Sequence, residues 1–155
     1  MELNEILVNK LIELNYKISF AESCTGGLLS NTIVEVSNAS RVFDMGFVTY
    51  SNESKIELLG VNPDTISEFG VVSEEVAMEM ATGCAKKANA NVAVGVSGIA
   101  GPTGDTPKKP IGMVCFGFYI NGKTSSKTVY FGNLGRNIVR CKSKDFVLNY
   151  LLENL

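Results

Sequence analysis

Residues 91–98, with the sequence NVAVGVSG, are the segment that most constrains the fold of this chain. Apolar and β-branched residues follow one another almost without a break, which is typical of a central strand buried on both faces. Such a strand needs helices above and below its sheet. The next segment, IAGPTGDTPKKPIG, is rich in Gly and Pro and predicts a loop with no room for a helix.

Hydrophobic periodicity and turn signals predict the other elements. Ser73 is a suitable N-cap for a long helix, and Asn121-Gly122 is a two-residue hairpin signal. The early alternation of strands and helices, with a hairpin late in the chain, predicts a single α/β domain over residues 1–155. Its sheet should be mixed and mostly parallel, with helices on both faces. We predict helices over 2–15, 26–36, 52–59, 63–68, 72–90 and 136–153, and strands over 16–21, 44–50, 91–98, 113–120 and 123–131.

Composition limits the classes of function. The 14 basic and 16 acidic residues give a formal net charge of −2, so no basic surface for nucleic acid or anionic membranes is expected. The first residues, MELNEILVNK, lack the basic start of a signal peptide, and no apolar run approaches ~18 residues. We therefore expect a soluble cytoplasmic protein that acts on a small molecule, and we expect it to form a homo-oligomer.

Cysteine spacing and the absence of histidine restrict the chemistry. Cys24, Cys84, Cys115 and Cys141 are too far apart for CxxC motifs and are expected to be reduced, the last three with structural roles. The chain has 0 histidines, which excludes Ser-His-Asp catalysis and most zinc sites. No metal is expected, and acid–base chemistry near neutral pH must use lysine, tyrosine, cysteine or a perturbed carboxylate.

Three polar clusters follow three predicted strands: ESCTGG (22–27), YSNESK (50–55) and SGIAGPTG (97–104). If these strands are parallel, their carboxyl ends meet at one edge of the sheet, where ligands of such folds bind. The sequence therefore predicts a site at that edge.

The cluster ESCTGG is open to two interpretations. Its glycines and the helix start after it could hold an anion, or Ser23 or Thr25 could simply cap the helix. Cys24 could be a nucleophile served by Glu22 and Lys55, because a helix N-terminus lowers a thiol pKa, or it could be a small buried residue.

The cluster SGIAGPTG could wrap closely around a ligand through Gly98, Gly101 and Gly104, or it could be a plain connecting loop. Lys108 and Lys109 lie just beyond and could approach an anion or form a solvated charge pair.

The segment SNAS (37–40) contains a third candidate. Ser40 could be a nucleophile beside free backbone N–H groups, or the segment could be a polar turn. Without histidine, the base would be a lysine of lowered pKa, and Lys55 with Tyr50 could supply it.

Five ordered stretches resemble the CinA C-terminal domain family, which includes the nicotinamide-nucleotide amidases. They are AESCTGGLLSNTIVEVSNAS, GFVTYSNESK, GVVSEEVAMEMATG, SGIAGPTG and KPIG. The resemblance covers residues 3–153 and implies a three-layer α/β/α sandwich with a five-stranded mixed sheet.

The resemblance also implies hydrolysis of the carboxamide of nicotinamide mononucleotide (NMN) to nicotinic acid mononucleotide and ammonia, with no cofactor. The second serine of the family's PGSS motif, its nucleophile, corresponds to Ser40, with Lys55 as base and Tyr50 relaying a proton or orienting the lysine. The expected substrate-binding residues are Ser23, Thr25, Gly26, Gly27, Ser97, Gly98, Gly101 and Arg136.

Two departures from the family pattern stand out. PGSS reads SNAS here, which changes the turn expected to hold the oxyanion, and the GDR pattern before Arg136 reads GNLGR. Longer family members carry an N-terminal molybdopterin-binding-like domain, which we expect this protein to lack. Hydrolysis of another small amide, and nucleotide binding without catalysis, remain alternative functions.

Overall fold

The computed structural model describes residues 1–155. The order of elements agrees with the sequence prediction, and no helix is both long and apolar enough to cross a bilayer. The helices are α1 (Leu3–Leu14), α2 (Leu28–Val34), α3 (Asn52–Leu59), α4 (Pro63–Phe69), α5 (Glu74–Ala88) and α6 (Arg136–Asn154), and the strands are β1 (Ile18–Glu22), β2 (Phe47–Val48), β3 (Val92–Gly98), β4 (Met113–Ile120) and β5 (Lys123–Tyr130).

The five strands form one sheet in the order β2-β1-β3-β4-β5. β1 pairs in parallel with β2 and with β3, whereas β4 is antiparallel to both β3 and β5. Only β4 therefore runs against the other strands, which confirms the prediction of a mixed, mostly parallel sheet. The carboxyl ends of β1, β2 and β3 lie at the same edge.

Helices cover both faces of the sheet and give the predicted three layers. On one face, α1, α2 and α6 bury Leu11, Ile33 and Leu151 against strand residues such as Phe20 and Val94. On the other face, α5 packs on β1, β3 and β4, and α3 packs against α5. A smaller cluster there includes Met80, Leu59 and Ala93. Burial on both faces explains the continuous apolar sequence of β3.

Two paired glycines let α5 lie close to the sheet. Gly95 on β3 pairs with Gly117 on β4. A Cβ atom would lie 2.3 Å from the carbonyl oxygen of Ala77 if built on Gly95 and 2.2 Å from it if built on Gly117. Because real Cβ atoms do not approach backbone that closely, larger residues here would push the helix away.

Local signals define several element ends as predicted. The hydroxyl of Ser73 accepts a hydrogen bond from the Val76 N–H at 3.3 Å and caps α5. Asn121 and Gly122 have φ of 48° and 84°, the positive values that a type I′ hairpin turn requires.

Three parts of the chain differ from the prediction. β2 contains only Phe47–Val48, because this edge strand pairs solely with Ala21 and Glu22 of β1. α2 begins two residues later than predicted, because Gly26 and Gly27 have positive φ of 56° and 102°. The SNAS segment is not only a turn, since residues 39–41 form one turn of 3₁₀-helix.

The four cysteines are free thiols. Cys84 and Cys115 are fully buried, in agreement with a structural role. Cys141 is exposed, so the prediction that it is structural is wrong. Its position in α6 faces solvent, whereas Val139 on the same helix faces the sheet.

Candidate active site

A cavity of about 360 Å³ lies at the carboxyl edge of β1, β2 and β3. This edge cavity receives residues from all three predicted clusters, and α6 closes one side of it. It is lined by Ser23 and Cys24, by Tyr50, Asn52 and Lys55, by Val71 and Val72, by residues 97–101 with Thr103 and Gly104, and by Arg136. The clusters that follow the three parallel strands therefore meet in one place.

The central contact of the edge cavity joins Lys55 to Ser23. Lys55 lies in the first turn of α3, and its side chain is only 1% exposed. Its Nζ atom is 3.1 Å from the Ser23 hydroxyl, 2.6 Å from the Thr49 carbonyl oxygen and 3.4 Å from the Tyr50 carbonyl oxygen. The buried amine thus has one hydroxyl and two backbone carbonyls as partners.

No carboxylate pairs with Lys55, since the two salt bridges in the structure join other residues. Burial removes water from the ammonium and lowers the pKa of Lys55 from 10.5 to about 8, although the nearby Cys24 thiol opposes this shift. Roughly a tenth of Lys55 is therefore neutral at pH 7, far more than for a lysine of ordinary pKa.

The neutral amine would be oriented as a base toward Ser23. A neutral lysine has two N–H bonds, and the Thr49 and Tyr50 carbonyls can accept both. The remaining lone pair can then accept the Ser23 O–H. Ser23 and Lys55 together form a serine–lysine dyad in which each member comes from a different element.

β1 and the turn after it fix the position of Ser23. Its N–H donates to the Val96 carbonyl on β3 at 3.2 Å, and its carbonyl accepts the Gly26 N–H at 3.1 Å. The preceding residue, Glu22, is fully buried and accepts the N–H groups of Leu29 and Ser30. Glu22 therefore holds the start of α2 and does not serve Cys24 with Lys55.

Several backbone amides of the residues that line the edge cavity have no acceptor within the chain and are available to a ligand. The N–H groups of Cys24, Ala100 and Gly101 donate to no other residue of the chain. Cys24 directly follows the dyad serine, which is where an oxyanion-binding N–H occurs in many acyl-transfer sites. The cavity thus combines a nucleophile, a base and free backbone donors.

Arg136 contributes a second cation. Its Nη1 donates to the Gly101 carbonyl at 2.7 Å, and its Nη2 donates to the Tyr50 hydroxyl at 2.9 Å. No Asp or Glu lines the edge cavity, so Lys55 and Arg136 favour an anionic ligand.

Tyr50 differs in part from its predicted role. Its carbonyl contacts Lys55, but its hydroxyl accepts from Arg136, and the side chain is 64% exposed. The structure therefore brings Tyr50 into the site without placing its hydroxyl on the lysine.

The end of β3 and the glycine-rich loop after it form one wall of the edge cavity, which includes the predicted residues Ser97, Gly98 and Gly101. The Ser97 hydroxyl donates to the Val71 carbonyl at 2.8 Å and ties this wall to the segment before α5. Gly101 has φ of +89°, and a Cβ there would lie 2.7 Å from Ile111. Lys109 donates to the Phe69 and Val72 carbonyls and does not face the cavity.

Ser40 does not reach Lys55 within this chain, which corrects the predicted pairing. α2 returns the chain to the amino end of β1, where the Val42 carbonyl accepts the Ile18 N–H. The five residues of β1 separate this end from Ser23 by roughly 16 Å at ~3.3 Å per residue. Ser40 instead borders a separate surface depression with Val36 and Phe43.

The rest of the ESCTGG turn also lies outside the edge cavity. Thr25, Gly26 and Gly27 are not among its lining residues, so the structure does not bring these predicted binding residues to it. Thr25 is fully buried, and the two glycines form the turn into α2.

Cys24 lines the edge cavity but is not an activated thiol. The residue is 6% exposed, and burial raises the pKa of its thiol to about 11, against the weaker effects of its own backbone N–H and of Arg140 and Arg136. A thiolate would therefore be scarce near neutral pH, which argues against Cys24 as the nucleophile.

Sequence reasoning missed Arg140, which contacts the backbone of the ESCTGG turn. The available signal was its spacing from Arg136, because residues four apart share one face of a helix. The structure contains no cluster of three or more His, Cys, Asp or Glu side chains suited to a metal ion.

Comparison with known proteins gives consistent matches. The profile of the CinA C-terminal domain matches residues 1–155. A CinA-like protein of Kosmotoga olearia is 49% identical over 149 residues, which cover 96% of this chain and 36% of that protein. This chain thus spans little more than a third of the length of that relative.

Solved structures match over nearly the whole chain. The competence/damage inducible protein CihA of Agrobacterium tumefaciens is 37% identical with a TM-score of 0.91, covering 99% of this chain and 96% of that one. A competence-damaged protein (CinA) superfamily protein of Escherichia coli is 32% identical with a TM-score of 0.95, covering 99% of this chain and 88% of that one.

Proposed function

The chain belongs to the CinA C-terminal domain family, and we propose that it is an amidase that hydrolyses the carboxamide of NMN. The observation that carries this proposal is the buried contact between Lys55 Nζ and the Ser23 hydroxyl at 3.1 Å. A serine paired with a lysine of lowered pKa is a known arrangement for acyl transfer without histidine.

In the first half of the reaction, the Ser23 oxygen attacks the carboxamide carbon while neutral Lys55 takes the hydroxyl proton. The negative charge that develops on the carboxamide oxygen would be held by the free N–H of Cys24, together with N–H groups of the Ala100–Gly101 loop. Lys55 then returns the proton to the leaving nitrogen, and the C–N bond breaks to release ammonia.

In the second half, water hydrolyses the ester on Ser23. Lys55 accepts a proton from the water as its oxygen attacks the ester carbonyl, and the same amides hold the second oxyanion. The C–O bond to Ser23 breaks, the serine oxygen regains a proton from Lys55, and nicotinic acid mononucleotide leaves as the acid.

The charge of the edge cavity supports a nucleotide substrate. NMN carries a phosphate, and the lining of the cavity includes Arg136 and no acidic residue. The Arg136 guanidinium donates hydrogen bonds to the Gly101 carbonyl and the Tyr50 hydroxyl, and these bonds fix the position of its positive charge. The choice of the nicotinamide base rests on the family resemblance.

Ammonia release from NMN tests the proposed activity. We expect steady turnover of NMN and at least ~10²-fold lower kcat/KM for nicotinamide and for glutamine, because neither carries the phosphate that the cation would bind. The measurement is a coupled ammonia assay with the three amides at matched concentrations. NMN binding by calorimetry without any ammonia would instead identify a non-catalytic binding module.

The pH dependence of kcat/KM should report the dyad lysine. Lys55 must be neutral to act as base, so activity should fall about tenfold per pH unit below its pKa of about 8 and level off above it. Initial rates between pH 6 and pH 10 would locate this limb. A rate that stays level down to pH 6, or one that climbs only near the ordinary lysine pKa, would speak against Lys55 as the base.

A further inference from the structure

Arg140 lies on α6, one turn after Arg136, and holds the turn that follows Ser23. Its Nε donates to the Cys24 carbonyl and its Nη2 to the Thr25 carbonyl, each at 2.9 Å. Its Nη1 donates to the Asn137 side chain at 3.0 Å, so all three nitrogens are engaged. Arg140 is not among the residues that line the edge cavity.

Few side-chain interactions other than those of Arg140 hold the ESCTGG turn in place. Gly26 and Gly27 have φ of 56° and 102°, and glycines adopt many backbone conformations at low cost. The Thr25 hydroxyl is buried and has no hydrogen-bond partner. Two bonds from a planar guanidinium to successive carbonyls therefore add to the backbone bond from Gly26 to Ser23 in holding the turn.

The guanidinium also acts on the donors of the turn. A peptide plane joins the carbonyl of one residue to the N–H of the next, so the Thr25 carbonyl that Arg140 holds shares its plane with the Gly26 N–H. The Gly26 N–H donates to the Ser23 carbonyl, which in turn shares its plane with the Cys24 N–H. A positive charge on the carbonyl side polarises the peptide groups of the turn and strengthens their N–H groups as donors. The free Cys24 N–H lies next to this clamp and next to Ser23.

We propose that Arg140 is a positioning residue for acyl transfer, which presets the Cys24 N–H for the oxyanion without touching the substrate. This inference rests on the proposed function. Arg140 would thus stabilise the transition state through the Cys24 N–H, and its contacts would do more than join α6 to the turn after β1.

The test compares Arg140→Ala and Arg140→Lys with the wild type in the NMN assay. We expect Arg140→Ala to lower kcat by about 10²-fold, the typical cost of a lost oxyanion donor, while KM changes less than ~3-fold. Arg140→Lys should recover only part of the loss, because one ammonium cannot bridge two carbonyls in the guanidinium geometry. Free guanidinium at low millimolar concentration should raise the kcat of Arg140→Ala, and sodium at the same concentration should not.

Asn137→Ala is the matched control, since it removes the side-chain partner of Arg140 and leaves both contacts to the turn. Its kcat should stay within ~3-fold of the wild type, and every variant should keep the pH limb assigned to Lys55. If Arg140→Ala does not fold, the test uses Arg140→Lys instead. Its kcat should be lower than that of the wild type, and its kcat/KM should fall with pH below the same pKa of about 8.

An unchanged kcat in the Arg140 variants would overturn the inference, and so would a loss confined to KM or a displaced pH limb. Absence of ammonia release by the wild type is a different result, because it would count against the proposed function itself.

Discussion

Replacing Ser23 with alanine is expected to lower kcat for ammonia release from NMN by at least ~10³-fold, because the reaction loses its nucleophile. The fold should survive, since the only side-chain hydrogen bond of Ser23 is to Lys55 and its backbone makes the bonds to Val96 and Gly26. Single-turnover assays with mass spectrometry would show an acyl group on the wild type and none on Ser23→Ala.

Ser40→Ala is the informative companion to this variant. The family motif assigns the nucleophile to Ser40, whereas the contact with Lys55 belongs to Ser23. We expect Ser40→Ala to keep activity within ~3-fold of the wild type, because Ser40 borders a different depression of the surface. An inactive Ser40→Ala together with an active Ser23→Ala would reverse the assignment of the nucleophile.

Replacing Lys55 with methionine should lower kcat for ammonia release by ~10³-fold or more and, at the same time, stabilise the folded protein. Burial disfavours the charged lysine, and the displacement of its pKa from 10.5 to about 8 corresponds to about 3 kcal/mol. Part of this gain is lost because the Thr49 and Tyr50 carbonyls lose their donor. We therefore expect the free energy of unfolding at pH 7 to rise by about 1–2 kcal/mol.

The pH dependence of this stabilisation has a fixed sign. The folded pKa lies below the unfolded one, so the cost of burying the charge is present in full below pH 8 and disappears as the pH rises toward 10.5. The advantage of Lys55→Met in denaturant titrations should shrink over that range. Lys55→Arg, which cannot lose its proton, should be inactive at every pH. A destabilised Lys55→Met at pH 7 would contradict the account of a costly buried amine.

Most of the fold could be predicted because its signals are local. Strand β3 is identified by its own apolar run, α5 by its cap at Ser73, and the late hairpin by Asn121-Gly122. The short length of β2 was not visible, because an edge strand with one partner loses pairing that its sequence would allow.

The candidate site was predictable in its place but not in its contacts. The convergence of three strand ends follows from topology, and it brought Ser23, Lys55, Ser97 and Arg136 to one cavity. Which serine meets the lysine depends on the path of α2, which carries Ser40 away from that edge. Motif order along the chain contains no information on that reversal.

Arg140 escaped prediction for a related reason. Its partners are backbone carbonyls more than 100 residues earlier in the chain, at Cys24 and Thr25. Every residue type has a backbone carbonyl, so a contact with one does not require a particular residue and no sequence motif identifies it.

The distribution of these residues along the chain has a consequence for how such a site can diversify. Both members of the dyad lie within the first 55 residues, whereas the opposite wall comes from residues 97–104 and from Arg136. The nucleophile and its base are thus encoded apart from Arg136, the cation expected to bind the ligand. Directed evolution confined to Thr103, Gly104 and Arg136 could exchange one small anionic amide for another while Ser23 and Lys55 are inherited unchanged.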